Sequence, residues 1–289
     1  MFKQYICRIS IIAILVLLSG KAAMAQTPVK IISYNVYNYF EGEKDRKQKF
    51  INWAKLQQAD VIAYQELLNI SAAELESLGK AIGHPYTELA KEQGYSVGIT
   101  SRFPIKNVKK IIKGMHHGFM LAQIGNLQFA VVHFSPFSYQ KRQQEVAMVV
   151  DSLGGSSKKT IVLGDMNSYA ASDSAYYKRN DRLNQLLKGD ESSHITNVNN
   201  GKLDYSVTGY LMNKGFVDSW RLKRINFDNS YPSRVSGTVL NSARERIDFI
   251  FISPDLQAKV VKSLVIKDQI TAELSDHYPV SIWLDLPGL

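Results

Sequence analysis

The stretch TIVLGDMNS, residues 160–168, decides how the rest of the chain is interpreted. It begins as an apolar, β-branched run typical of a buried strand and ends in polar residues that such a strand rarely carries. Because strand side chains alternate between two faces, Asp165 and Asn167 are expected on one side, opposite Met166. Gly164 leaves room beside them. Glycine, aspartate and asparagine also form simple turns, so this stretch alone leaves a turn and a functional site equally open.

The first 25 residues have the order of a secretory signal peptide. A basic start, MFKQYICR, is followed by the apolar run ISIIAILVLLSG and then by AMA before Gln26. This order predicts export to the periplasm or the medium, with cleavage after Ala25 and one mature domain, residues 26–289. The apolar run is shorter than the roughly 20 residues that a membrane span needs, so no stable span is expected.

Loss of this leader changes the charge and the cysteine content. The net charge of +9 falls by the leader's three cations to +6, and Cys7, the only cysteine, is removed. A modest basic excess suits a polyanionic substrate, although many exported proteins are basic. The mature chain is therefore expected to use neither thiol chemistry nor disulfides. It is also expected to act as a monomer.

Strand-like apolar runs recur along the mature chain, and amphipathic segments predicted to be helices lie between them. Gly125–Asn126 has the pattern of a two-residue hairpin, so some strands are expected to be antiparallel. Residues 45–58 and the segment SYQKRQQEVAMVVDSL have helical spacing, and SAAELESLGKAIG opens with a capping box. Because several strands are apolar on both faces, each sheet must be covered twice. The pattern predicts two packed sheets with helices outside.

Further polar residues interrupt these apolar runs, all at or near strand ends: Asn35, Glu66, His133, Asp248, Asp276 and His277. Each has an ordinary explanation alone, but an unpaired buried polar group costs about 1–3 kcal/mol. A chain with so many is expected to gather them in one place. Carboxylate and amide oxygens fit Mg²⁺, Mn²⁺ or Ca²⁺, whereas zinc would require clustered cysteines or histidines. Histidines beside such a cation suit acid–base work on a phosphate ester.

The dipeptide Asp276–His277 precedes a strand, where neighbouring side chains diverge. Asp276 is therefore not expected to orient His277. Asp248, in the apolar run RIDFIFI, is the carboxylate predicted to do so.

The segments SYN, QE, HFSP, GDMN, RIDFIF and SDHYPV, in this order, resemble the endonuclease/exonuclease/phosphatase superfamily. The resemblance covers about residues 29–286. It implies a four-layer α/β/β/α sandwich, with two mixed β-sheets flanked by helices, and a divalent-metal phosphoesterase site at one edge. A nuclease acting on nucleic acid, most naturally with Mg²⁺, is the leading interpretation. The same chemistry on a phospholipid head group or small phosphate ester, and a binding module without chemistry, remain alternatives.

The resemblance also implies roles for individual residues. Glu66 and Asp276 correspond to metal-binding carboxylates, and Asn35 to an asparagine that holds the cluster together. The catalytic set would comprise His133, Asp165, Asn167, Asp248 and His277.

Two assignments near this set stay open. By the resemblance, His117 could take the place of a phosphate-contacting arginine of relatives and bind substrate, but a surface histidine in a loop, like His116, is the more ordinary interpretation. Glu92 could brace His133. Substrate choice is expected to depend on loops 37–48, 68–94 and 168–182.

Overall fold

The apolar runs pair into two six-stranded mixed sheets in the computed structural model, which describes residues 27–154, 158–193, 195–235, 244–286 and 289. The strands of the first sheet, in spatial order, are β13 (Val260–Val265), β14 (Val280–Leu284), β1 (Val29–Asn35), β2 (Val61–Leu68), β4 (Tyr95–Ser101) and β3 (Tyr86–Leu89). Those of the second are β11 (Val217–Asp218), β12 (Asp248–Ile252), β8 (Thr160–Asp165), β7 (Leu127–His133), β6 (Phe119–Ile124) and β5 (Ile105–Ile111). A separate two-stranded ribbon joins β9 (Val198–Asn199) and β10 (Lys202–Leu203).

The helices lie outside the sheets or in the connections: α1 (Tyr37–Phe40), α2 (Lys44–Gln57), α3 (Ala72–Ile82), α4 (Tyr139–Ser152), α5 (Ser174–Arg179), α6 (Arg182–Ser193), α7 (Ser206–Asn213) and α8 (Thr271–Leu274). The predicted capping box is present, since Ser71 and Glu74 bond each other's backbone at the start of α3. α1 is a single turn whose residues have left-handed backbone angles. Two short 3₁₀ turns cover Ala171–Asp173 and Pro254–Lys259.

Three apolar cores explain the layers. The central core lies between the two sheets and includes Ile31, Ile99 and Leu163. One outer core packs α2 and α3 on the first sheet, and another packs α4 and α7 on the second. Strands buried on both faces thus receive their second cover from helices, which confirms the predicted four-layer sandwich.

The topology brings many chain segments to one edge. β1 runs parallel to β2, and β7 runs parallel to β8, so their carboxyl ends point the same way. β14 is antiparallel to β1, and β12 is antiparallel to β8 with Asp248 opposite Asp165. The ends of four strands and the beginnings of two others therefore meet at the same place.

Two features lie outside the sequence predictions. β5, with the sequence IKNVKKI, is an exposed edge strand rich in lysine rather than an apolar run. The predicted signal peptide lies outside the described residues. Within the described part of the chain, no helix is long and apolar enough to cross a bilayer.

Candidate active site

Asn35 joins the two sheets at this edge. It is the last residue of β1, and its amide Nδ2 donates to Glu66 Oε1 at 3.1 Å and to Asp165 Oδ2 at 3.1 Å. Glu66 belongs to the first sheet and Asp165 to the second. Because Asn35 is fully buried, both carboxylates are held by one side chain that has no access to water.

Glu66 lies at an irregularity that turns its side chain into the site. The pairing of β2 with β4 shifts register between Tyr64 and Leu67, and Glu66 has a φ of 61°. Its second oxygen, Oε2, accepts from the backbone N–H of Asn38 in the left-handed turn α1, at 3.0 Å. Asn35 and the turn α1 therefore hold one carboxylate oxygen of Glu66 each.

Asp165 and Asn167 reach the site by a route that simple strand alternation does not describe. β8 ends at Asp165, and Asn167 follows in a left-handed conformation with a φ of 46°. The backbone N–H of Asn167 donates to Asp165 Oδ1 at 2.9 Å, and its side chain donates to Phe134 O at 3.0 Å. Met166, between them, is buried in the outer core that packs α4 and α7 on the second sheet. The predicted convergence is present, but a turn produces it rather than a continued strand.

Gly164 was expected to leave room beside Asp165 and Asn167, but in the structure it makes room for a neighbouring strand. Its φ is +147°, and a Cβ built there would lie 1.9 Å from the carbonyl oxygen of Val132 on β7. The missing side chain therefore makes room for the neighbouring strand, not for the polar residues. The close approach of β7 and β8 places His133 opposite Asp165.

His277 pairs with Asp248, as the divergence of Asp276 and His277 predicted. The Nδ1 atom of His277 lies 2.8 Å from Asp248 Oδ2, and both residues are buried. Burial opposes a charge on this imidazole, but the carboxylates of Asp248 and Asp276 outweigh it and raise the pKa of His277 well above its ordinary value. The ring is therefore an imidazolium at neutral pH. Its Nε2 lies 3.8 Å from Asp165 Oδ2.

His133 has the opposite protonation state. Burial, and then the nearby charges of His117 and His277, lower the pKa of His133 well below its ordinary value. Its Nε2 lies 3.5 Å from Asp165 Oδ2, and Nδ1 has no hydrogen-bond partner among the described residues. Two histidines with opposite protonation states thus flank one carboxylate, an arrangement that separates acid from base roles.

The carboxylates fit a hard divalent cation. Burial raises the pKa of Glu66, Asp165 and Asp276, and the negative charge of Asp276 raises that of Glu66 further. A cation beside these oxygens would offset both effects. Asp165, Asp248 and His277 also offer ligand atoms within 4.8 Å of one another, but a hydrogen bond already joins two of them. Glu66 and Asp276 are near enough to interact electrostatically, and a carboxylate oxygen that accepts one hydrogen bond can still bind an ion, so they stay the predicted ligands.

His117 is buried in the site rather than on the surface. Its ring stacks on that of His133 with centroids 3.9 Å apart and planes 15° apart. Burial, together with the charges of His116 and Lys91, lowers the pKa of His117 to about 3. His116 is exposed and lies edge-on to His117 at 4.3 Å.

Glu92 does not brace His133. It accepts from the N–H of Ala72 at the start of α3 instead. The carboxylate that organises the histidine region is Glu145 on α4, which accepts from the backbone N–H groups of His116 at 2.5 Å and Ser135 at 2.8 Å. The sequence carried a signal for it, because Glu145 is a charged residue on the buried face of a predicted helix, one turn before Val149.

A cavity of about 550 Å³ is lined by Glu66, His117, His133, Asp165, Asn167 and His277. Its far wall contains residues that the sequence did not single out: Arg182 forms an ion pair with Glu245, and Tyr231 lies 4.9 Å from the ring of His277. Tyr169 donates to Glu245 at 2.9 Å and so connects the pair to the core. Arg182 does fall within loop 168–182, where the substrate rim was predicted. The cavity therefore offers a phosphate both cationic and amide donors.

The chain matches one protein family in sequence and several solved structures in fold. Residues 32–277 match the family described as the Endonuclease/Exonuclease/phosphatase family. No curated protein sequence matches the chain. Among solved structures, an AP endonuclease from Archaeoglobus fulgidus is similar with a TM-score of 0.65 and 20% identity, covering 89% of this chain and 100% of that one.

Two other similar structures have lower identity. A 3′ phosphatase, NExo, from Neisseria, bound to a product DNA hairpin, has a TM-score of 0.65 and 18% identity, with coverage of 89% and 100%. An endonuclease/exonuclease/phosphatase from Beutenbergia cavernae has a TM-score of 0.62 and 14% identity, with coverage of 90% and 72%. At these identities the likeness shows the fold.

Proposed function

The chain belongs to the endonuclease/exonuclease/phosphatase family, and from this premise we propose that it is an exported, divalent-metal-dependent phosphodiesterase that hydrolyses nucleic acid. The observation that carries the proposal is the convergence of two buried histidines on Asp165, whose Oδ2 lies 3.5 Å from His133 Nε2 and 3.8 Å from His277 Nε2. Hydrolysis of a phosphodiester needs a group that stabilises negative charge and a group that accepts a proton, and this site separates them.

Glu66 and Asp276 would hold Mg²⁺ or Mn²⁺ at the end of β2 and before β14. The ion, when bound, supplies charge stabilisation at the phosphoryl oxygens. Asn35 keeps Glu66 and Asp165 at a fixed separation through its two hydrogen bonds. These residues therefore define where a phosphate can lie at the edge where the two sheets meet.

The remaining residues handle protons and orientation. A water oxygen attacks phosphorus and its proton passes to Asp165, whose pKa is raised by burial and by the charge of Asp248. The bond from phosphorus to the leaving oxygen breaks, and that oxygen takes up a proton from solvent water. The imidazolium of His277 donates a hydrogen bond to the phosphoryl group. Asn167, fixed by its bond to Phe134 O, orients the phosphate, and the neutral His133 lies on the other side of Asp165 with its Nε2 at 3.5 Å.

Export and a monomeric state complete the proposal. Both rest on the sequence, through the leader ending at Ala25 and through a core large enough for independent folding.

A substrate panel tests the proposed activity. Plasmid DNA, RNA, a sphingomyelin-type lipid and inositol phosphates are assayed with Mg²⁺ and with chelator, for the wild type and for His277→Ala. We expect cleavage of a nucleic acid that stops with chelator and falls by about 10²–10⁴-fold in the variant. Turnover of only the lipid or the small phosphates, or full turnover under chelation, would overturn the proposal.

A further inference from the structure

A chain of rings leads from the reacting centre to the surface. His117 stacks on His133, His116 lies 4.3 Å from His117, and Phe137 lies 5.1 Å from His116. Tyr95 meets His117 from another side at 5.5 Å. These rings line the same cavity as Glu66 and His277, so they are part of the site. We call them the aromatic wall.

The outer rings of this wall are exposed although they are apolar or aromatic. Phe137 is 52% exposed and Tyr95 is 38% exposed, and both line the cavity. Neither ring belongs to the three apolar cores described above. An exposed aromatic ring in a concave site offers its face to a flat ligand, and a nucleobase is such a ligand.

The loops that carry the wall are fixed rather than loose. Glu145 bonds the backbone of both His116 and Ser135, so one buried carboxylate ties the two loops to α4. The N–H of Phe137 donates to Ser135 Oγ at 3.3 Å, which continues the connection to the exposed ring. A ring already held in place loses little entropy when a base stacks on it.

The charges around the wall favour an anion over a cation. Lys141 lies at the edge of the wall, where its Nζ donates to Gly114 O at 2.5 Å. Burial lowers the pKa of His116, and the nearby positive charges of Lys91 and Lys141 lower it further. A choline head group, which aromatic cages bind through its positive charge, would be repelled. The phosphates that flank a base would be attracted.

We propose that Phe137, His116 and Tyr95 form a nucleobase subsite, which stacks an unpaired base next to the scissile phosphate. The inference rests on the proposed nuclease function and narrows it, because a base stacked on Phe137 cannot remain paired and stacked in a duplex. The enzyme would therefore prefer single-stranded or frayed nucleic acid.

The test compares a single-stranded oligonucleotide with the same strand carrying abasic residues, and with its duplex. Phe137→Ala should raise KM for the intact single strand by about tenfold, with kcat little changed and little effect on the abasic strand. Phe137→Trp should restore the wild-type KM. Tyr86→Ala, which removes a ring that is 40% exposed outside the cavity, is the matched control and should change neither substrate.

A spectroscopic measurement separates stacking from general damage. An oligonucleotide containing 2-aminopurine is titrated with His277→Ala as an inactive background, and its fluorescence should be quenched on binding. Quenching should be lost when Phe137→Ala is added to that background, while thermal unfolding stays unchanged.

The outcomes distinguish the inference from the function beneath it. If the wild type cleaves nucleic acid but Phe137→Ala affects intact and abasic strands equally, the subsite is refuted and the nuclease stands. If the wild type cleaves duplex as well as single strand with no quenching, the subsite is likewise refuted. If no nucleic acid is cleaved and a choline lipid is, both proposals fall.

Discussion

Replacing Asp248 by asparagine should disable the site while leaving its shape intact. The carboxylate lies 2.8 Å from His277 Nδ1, and both groups are buried, so the pair is little screened by water. Asparagine keeps the size and removes the charge. Burial disfavours the imidazolium, so without its main opposing carboxylate the pKa of His277 falls, although Asp276 and Asp165 still raise it. We expect the rate to fall by about 10²–10⁴-fold, the usual contribution of one acid–base group.

The double variant gives the sharper result. If Asp248 acts only through His277, Asp248→Asn combined with His277→Ala should be little slower than His277→Ala alone. Rates are measured at saturating Mg²⁺ across pH, with circular dichroism to check folding. Because a raised pKa keeps the imidazolium present up to high pH, Asp248→Asn should move the basic limb of the profile to lower pH.

Asp276→Asn is the matched control, since it removes a neighbouring carboxylate that does not bond the ring. Its defect should be partly relieved by a higher metal concentration. Multiplicative losses for Asp248 and His277, or a wild-type rate in Asp248→Asn, would refute the reasoning.

Four further predictions follow from other parts of the chain. Glu66→Gln should raise the Mg²⁺ concentration needed for half-maximal activity without unfolding the protein, and calorimetric titration should show weaker metal binding. Arg246→Met should cost about 3–5 kcal/mol in urea unfolding, because it leaves the buried carboxylate of Asp218 without its guanidinium and that of Asp173 with Arg221 alone. His84 is buried between Thr100 Oγ1 and a backbone carbonyl, and burial lowers its pKa, so the stability it contributes is present above about pH 6.5 and is lost as pH falls below it. His84→Gln should remove that acid-side loss in pH-dependent thermal unfolding. Mass spectrometry of the exported protein should give Gln26 as its first residue, and an uncut chain would contradict the leader assignment.

The pairing of His277 with Asp248 was predictable because strand alternation excluded Asp276 and because Asp248 is a charged residue inside an apolar run. Two neighbouring residues in extended chain cannot share one target, so the partner had to come from another strand. The four-layer sandwich was predictable for a related reason, since strands apolar on both faces require two covers. In both cases the decisive information is local.

Other parts of the site depend on contacts that local patterns do not encode. Asn167 enters through a left-handed turn, which no alternation rule predicts. Glu92 was expected beside His133 only through the family resemblance, and the structure places Glu145 near the histidines instead. β5 was missed because an exposed edge strand needs little apolar content and here carries lysines that discourage pairing with other chains.

The position of β14 has a consequence for the timing of synthesis. β14 lies between β13 and β1, so a strand from residues 280–284 pairs with one from residues 29–35. A nascent chain that has emerged only as far as residue 270 lacks β14 and His277, and the first sheet is then split into two parts. Such a chain cannot bring its early and late segments together and has no functional site. The site can therefore form only after translation has passed these residues, even if the N-terminal segments have already folded.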